Sequence, residues 1–168
     1  MPATKFTSEE IEALYQIIKK YEENAPENEE EAYNDDYDEH EEIIPKRIIS
    51  SLLKKVAQQL PKETKEEINK DFLRKKYHTY NNPVDGKVYN SLKNALGQLK
   101  TVEISYFNMD NAEFKKRKMD VYYTSAKYTI GYCHLRREMR KFRTSRIASA
   151  KLMDQTYSIP SNFNKNDY

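Results

Sequence analysis

Tyr128, Tyr132 and His134 stand at alternate positions in one short segment, and Arg136 lies just beyond them. Alternate residues of a strand share a face, so this spacing gathers two phenols and an imidazole on one side. Arg143 and Arg146 follow from the next segment. Guanidinium groups offer paired donors that match phosphate oxygens. Aromatic faces add stacking to bases. An exposed group of this kind suits a nucleotide or a single-stranded nucleic acid. The same residues also suit a blander arrangement, with the tyrosines as core and the arginines as a solvated face.

Other chemistries find little footing. The chain has three glycines, Gly86, Gly97 and Gly131, and no glycine-rich phosphate loop. Cys133 adjoins His134, but neighbours on a strand point to opposite faces and form no nucleophile–base pair. One cysteine and three separated histidines give no zinc spacing. Asp35, Asp36, Asp38, His40 and Glu41 crowd together, yet the repeat and glycine of a calcium loop are missing. The expectation is a non-enzymatic protein without catalytic residues, metal or cofactor.

The elements that must position these residues change character along the chain. Thr7 with Glu10 three residues later forms a capping box, flanked by Phe6 and Ile11 as a hydrophobic staple. Ile11, Leu14, Ile17 and Ile18 fall on one face of a helix running to about Lys20 or Tyr21. Glu22 to Glu42 is dominated by Glu, Asp and Asn, and predicts a flexible acidic loop. Pro45 opens a second helix carrying Ile49, Leu52, Leu53, Val56 and Leu60, which Pro61 ends. A third starts near Lys62. Asp85-Gly86 marks a turn before a last helix with Leu92, Ala95, Leu96 and Leu99 on its buried face.

After Lys100 the period shortens to two. Val102–Tyr106, Met119–Tyr123, Tyr128–His134, Met139–Thr144 and a stretch within Ala150–Tyr157 read as short strands. The fold class is α+β, with N-terminal helices followed by a small antiparallel β-barrel. Charge follows the same division. Residues 1–102 carry a balance of −4 and residues 103–168 one of +6, which places an anionic partner on the strand region.

Four segments of that region resemble the WYL domain, the sensor domain of bacterial transcription regulators. Lys127-Tyr128-Thr129-Ile130-Gly131-Tyr132-Cys133-His134-Leu135-Arg136 resembles its central strand, with Lys127 and Thr129 in place of the Trp and Leu of the name. Arg140-Lys141-Phe142-Arg143-Thr144-Ser145-Arg146-Ile147 resembles the segment after it, Ile104-Ser105-Tyr106 the opening strand, and Tyr157–Phe163 the closing pattern. Phe6–Glu10 and Leu60-Pro61 resemble the family's helical connector.

The resemblance implies an Sm-like, SH3-type barrel over residues 101–168 and a helical connector over residues 1–100. It implies ligand-binding roles for Tyr106, Tyr128, His134, Arg136, Arg143 and Arg146, with His134 binding phosphate more strongly when protonated. His134, Arg136, Arg143 and Arg146 are expected to converge across a turn at Arg137–Glu138. The function implied is a ligand-sensing regulatory module acting through a DNA-binding partner domain or chain. The alternative is a stand-alone accessory protein that binds single-stranded RNA or DNA and modulates another nucleic-acid-processing effector. The family's usual winged helix-turn-helix and C-terminal extension are expected to be missing. Helical apolar faces predict a homodimer, through the helices or through paired barrels. With one cysteine, no membrane-length apolar run and no signal peptide, a cytoplasmic setting without membrane contact is expected.

Overall fold

The capping box expected at the start of the chain is present. The Thr7 amide donates to Glu10 Oε2 at 2.7 Å, and the Glu10 amide donates to Thr7 Oγ1 at 3.2 Å. It opens α1 (Ser8–Asn24) in a computed structural model that describes residues 5–25, 44–78 and 83–168. Glu22 and Glu23 extend the helix past Tyr21, because glutamate favours helix when solvated. From residue 26 the expected acidic loop and the acidic group around Asp36 lie outside the described residues. Tyr15 is buried and Ile11, Leu14 and Ile18 are half-buried, whereas Ile17 is 65% exposed. The stripe is i, i+3, i+4, i+7 from Ile11, which leaves Ile17 outside it. Phe6 is also exposed.

The chain forms two units, Met1–Asn69 and Lys70–Tyr168. The first holds α1, α2 (Lys46–Ala57) and the start of α3 (Lys62–His78). Ile49, Leu53, Leu60 and Ile68 are buried there, and Tyr15 Oη donates to Asn69 Oδ1 at 3.1 Å. Leu52, expected on the buried face, is 40% exposed.

In the second unit Asp85-Gly86 starts a helix instead of forming a turn. The Asp85 carboxylate accepts from the Lys87 and Val88 amides at 2.7 and 3.0 Å, capping α4 (Gly86–Gln98). Val88, Leu92 and Ala95 are buried against the sheet. Leu99, expected on that face, is instead the left-handed C-cap, with φ of 51°, and points outward.

Five strands follow: β1 (Lys100–Asn108), β2 (Glu113–Thr124), β3 (Tyr128–Cys133), β4 (Glu138–Arg143) and β5 (Ile147–Thr156). β2 starts six residues before the expected Met119. Its run Lys115–Lys118 is charged on both faces and shows no period, but it pairs with β1 throughout. The order is β4-β3-β2-β1-β5, all antiparallel. Closing a barrel requires hydrogen bonds between the first and last strands. Here β4 and β5 remain the two ends of the order, so the expected closed barrel is an open five-stranded sheet.

One face of the sheet buries Val102, Ile104, Met119, Val121, Cys133, Phe142 and Ile147 with α4. Gly131 is required where β3 crosses β2, since a Cβ there would lie 2.0 Å from the Asp120 carbonyl oxygen. Among the described residues no helix is long and apolar enough to cross a membrane.

Candidate ligand-binding surface

The β3–β4 hairpin decides where the expected site residues go. Cys133 pairs with Glu138 and Tyr128 with Arg143. The turn therefore occupies residues 134–137, where the Arg136 and Arg137 amides both donate to the Cys133 carbonyl at 3.1 and 2.7 Å. Arg137 takes a left-handed φ of 57° to close it. A turn centred on Arg137–Glu138 would have set His134 opposite Lys141. The real turn removes His134 and Arg136 from the ladder altogether.

The expected convergence of His134, Arg136, Arg143 and Arg146 is thus not what the hairpin builds. Arg136 is exposed at the turn, and Arg143 ends the ladder at the far side of a six-residue strand. At about 3.4 Å per residue that separation is about 17 Å.

His134, itself part-exposed, is tied to a buried pair. Its Nε2 lies 3.0 Å from Asp120 Oδ1, which also accepts from Thr101 Oγ1 at 2.6 Å. The Thr101 side chain is fully buried and Asp120 nearly so. A carboxylate only accepts, so the Nε2 hydrogen points at it. The imidazole also meets Tyr132 edge-on at 5.5 Å. Sequence reading missed Asp120 and Thr101 because they lie on other strands with no local signal.

Arg143 and Arg146 are engaged by the end of α3. Arg143 Nη1 donates to the His78 carbonyl at 3.3 Å, and Arg146 Nε donates to the Tyr77 carbonyl at 3.2 Å. Cations at a helix C-terminus meet both its unsatisfied carbonyls and its dipole. Tyr77 stacks on Phe107 at 4.6 Å and meets Phe114 edge-on, which fixes that end of α3 on the sheet. Burial raises the Tyr77 phenol above its ordinary pKa.

Tyr128 keeps cationic company. It stands directly opposite Arg143, with Lys141 Nζ 4.7 Å and Lys127 Nζ 5.5 Å from its ring centre. Lys141, two residues from Arg143, is the diagonal neighbour on the same face. The correct hairpin register would have revealed it. Close by on β2, Tyr123 carries Lys165 Nζ at 4.9 Å. Lys141 also donates to the Tyr168 carbonyl.

Tyr106 lies on the opposite, core-facing side, edge-on to Phe142 at 5.0 Å. The six expected residues therefore fall in three places: Tyr106 by the core, His134 and Arg136 at the hairpin turn, and Tyr128, Arg143 and Arg146 at the ladder's far end.

The C-terminal segment packs back on β2. Tyr122 stacks on Tyr157 at 5.8 Å and meets Phe163 edge-on at 5.2 Å, and Tyr157 Oη donates to the Val121 carbonyl. Burial first, then Asp120 and Tyr122, push the Tyr157 phenol well above the usual tyrosine range, against the opposing effect of that hydrogen bond. Among the described residues no group of His, Cys, Asp and Glu side chains converges to hold a metal.

A model of the WYL domain matches residues 87–152, from the first turn of α4 to near the end of β5. This part of the chain carries a WYL domain. The match takes in α4 as well as the strands, in keeping with the burial of Val88, Leu92 and Ala95 in the sheet's core. No curated protein matches the sequence. Among solved structures, the chain is similar to the proteasome accessory factor B/C (PafBC) of Arthrobacter aurescens, at 16% identity and a TM-score of 0.37. The similarity covers 92% of this chain and 22% of that one, so this chain spans less than a quarter of its length.

Proposed function

We propose that the WYL domain of this chain is a ligand-sensing regulatory module that binds a nucleotide or single-stranded nucleic acid through the Tyr128 face. One observation carries the reading: a half-buried tyrosine ring with two lysine ammonium groups within 6 Å and an arginine directly across the ladder. The ring offers stacking to a base, and the cations offer the phosphate contacts beside it. The WYL match supports a regulatory role, exercised through a DNA-binding domain or partner chain.

The module acts by binding, without catalysis, in the cytoplasm. The helices before α4 serve as its connector, and α4 with the strands as its sensor, in keeping with the span of the WYL match. The Sm-like, SH3-type character of the sheet belongs to this reading. It is supported by β5 returning to the free side of β1 and by the register shift at Val121–Tyr123, which bends β2. A homodimer through the helices is supported by exposed Ile17, Ile48 and Leu52.

The test is fluorescence anisotropy with labelled single-stranded oligonucleotides. Tyr128→Ala weakens binding by about 5- to 150-fold, the equivalent of about 1–3 kcal/mol for one stacked base. Unchanged affinity in both Tyr128→Ala and Lys141→Ala refutes the assignment.

A further inference from the structure

Arg117 is the one cation on the core-facing side of the sheet's middle strands that has a buried nitrogen without an acceptor. It lies on β2 directly opposite Ile104, in the row that continues to Ala150 on β5. Its backbone position therefore shares a face with Val102, Ile104 and Met119, not with the solvated lysines at 116 and 118. The side chain is half-buried, and its Nε is shut off from solvent with no hydrogen-bond partner among the described residues. The guanidinium carbon sits 6.0 Å from the centre of the Phe142 ring, and that same ring receives Tyr106 edge-on at 5.0 Å. Lys115, two residues along β2 on the same face, stands opposite Tyr106 and is exposed.

A buried donor without an acceptor is costly, and native proteins leave few of them unmet. The other sequestered side-chain atom without a partner, Asn111 Oδ1, belongs to a turn residue whose amide nitrogen is already bonded to Glu113. Arg117 has no such second engagement: the Phe142 ring is its neighbour, and a ring face satisfies the charge but not the N–H. Guanidinium presents Nε and one Nη as a parallel pair of donors, the geometry that two oxygens of a phosphoryl group match. Lys115 adds a second positive charge, and the half-buried Tyr106 ring offers aromatic surface beside it.

We propose that Arg117 is the anchor of a second ligand site, on the face opposite Tyr128, which takes a phosphoryl oxyanion with Tyr106 beside it. The half-buried side chain turns its guanidinium outward on binding, and the anion supplies the acceptor that Arg117 Nε lacks. The two sources of such a group are inorganic phosphate and a nucleoside monophosphate, and Tyr106 favours the latter by offering a surface to its base.

The test uses the full chain at constant ionic strength, with sodium chloride as the balancing salt. Inorganic phosphate and AMP are titrated in turn, and the melting temperature is followed. At a concentration ten times the dissociation constant, either ligand raises the melting temperature of the wild type by on the order of 3 °C. Arg117→Met keeps the apolar contacts and removes the unmet donor. It melts at or above the wild-type temperature without ligand and gains less from phosphate and from AMP than the wild type does. At equal concentrations of the two ligands, a larger rise with AMP than with phosphate identifies a nucleotide site, and equal rises identify a phosphate site.

The arginine Nε–H resonance that disappears in Arg117→Lys provides a direct readout, and it moves when phosphate is added. The Tyr128 surface is separated by repeating the titrations in Lys141→Ala, which weakens binding there: the response that remains in Lys141→Ala is lost in the Lys141→Ala, Arg117→Met double variant. The proposal is overturned if neither ligand shifts the wild type, if Arg117→Met responds equally, or if the Nε–H resonance stays in place.

Discussion

Replacing Asp120 by alanine removes the single acceptor shared by Thr101 and His134. The Thr101 hydroxyl loses a 2.6 Å bond to a carboxylate, and its side chain has no access to water. A hydrogen bond to a charged group contributes about 1.5–3 kcal/mol, and a stranded buried hydroxyl costs about 1–3 kcal/mol. His134 adds less, because its side chain is 30% exposed and water replaces the lost partner. Asp120→Ala should therefore destabilise the protein by about 2–4 kcal/mol. Thr101→Val removes the hydroxyl itself, so in the double variant no buried donor is stranded. The two changes should then be non-additive by about 1.5 kcal/mol or more. The assay is a double-mutant cycle by urea denaturation, with His134→Ala as a third member costing under about 1 kcal/mol. Additivity within about 0.5 kcal/mol would refute the claim that Asp120 and Thr101 form one buried unit.

Gly131→Ala should cost about 3 kcal/mol or more in the same denaturation assay, because the new methyl meets the Asp120 backbone, which cannot swing aside as a side-chain end could. A cost below about 1 kcal/mol would mean that β2 and β3 separate easily at that point. Stability should also fall as the pH rises above about 10. The Tyr157 phenol has a folded pKa raised by burial and by Asp120, so its contribution is complete below the unfolded value of about 10 and is lost as the pH climbs toward the folded one. Tyr157→Phe should flatten this alkaline decline in melting temperature, and an unchanged decline would contradict it.

The α+β class, the capping box at Thr7 and the strand region after Lys100 were legible because each rests on local residue pattern. Period-two alternation and capping chemistry act over a few residues, and a single sequence displays them directly. The site was legible only in its residue types. Tyr128 and Arg143 do face one another, but His134 and Arg136 are removed from them by where the hairpin turns. A non-glycine residue in a left-handed conformation, Arg137, closes that turn, and no Gly or Asn marks it in the sequence. Asp85-Gly86 showed the converse failure. A pair that usually signals a turn here caps a helix, because the Asp85 carboxylate finds two free amides. Asp120, Thr101 and Arg117 owe their significance to partners on other strands, or to the lack of one, and nothing in their local sequence announces it.

The central claim is that the Tyr128 face binds phosphate-bearing ligand through Lys127, Lys141 and Arg143. It is tested most directly by the salt dependence of single-stranded oligonucleotide binding, measured for the wild type and for Lys141→Ala. Three phosphate contacts predict a slope of log affinity against log salt of about −2, or roughly a 15- to 20-fold loss between about 50 and 200 mM. Lys141→Ala should bring the slope about 0.7 closer to zero. Binding that ignores salt, or a slope unchanged by the substitution, would contradict the account.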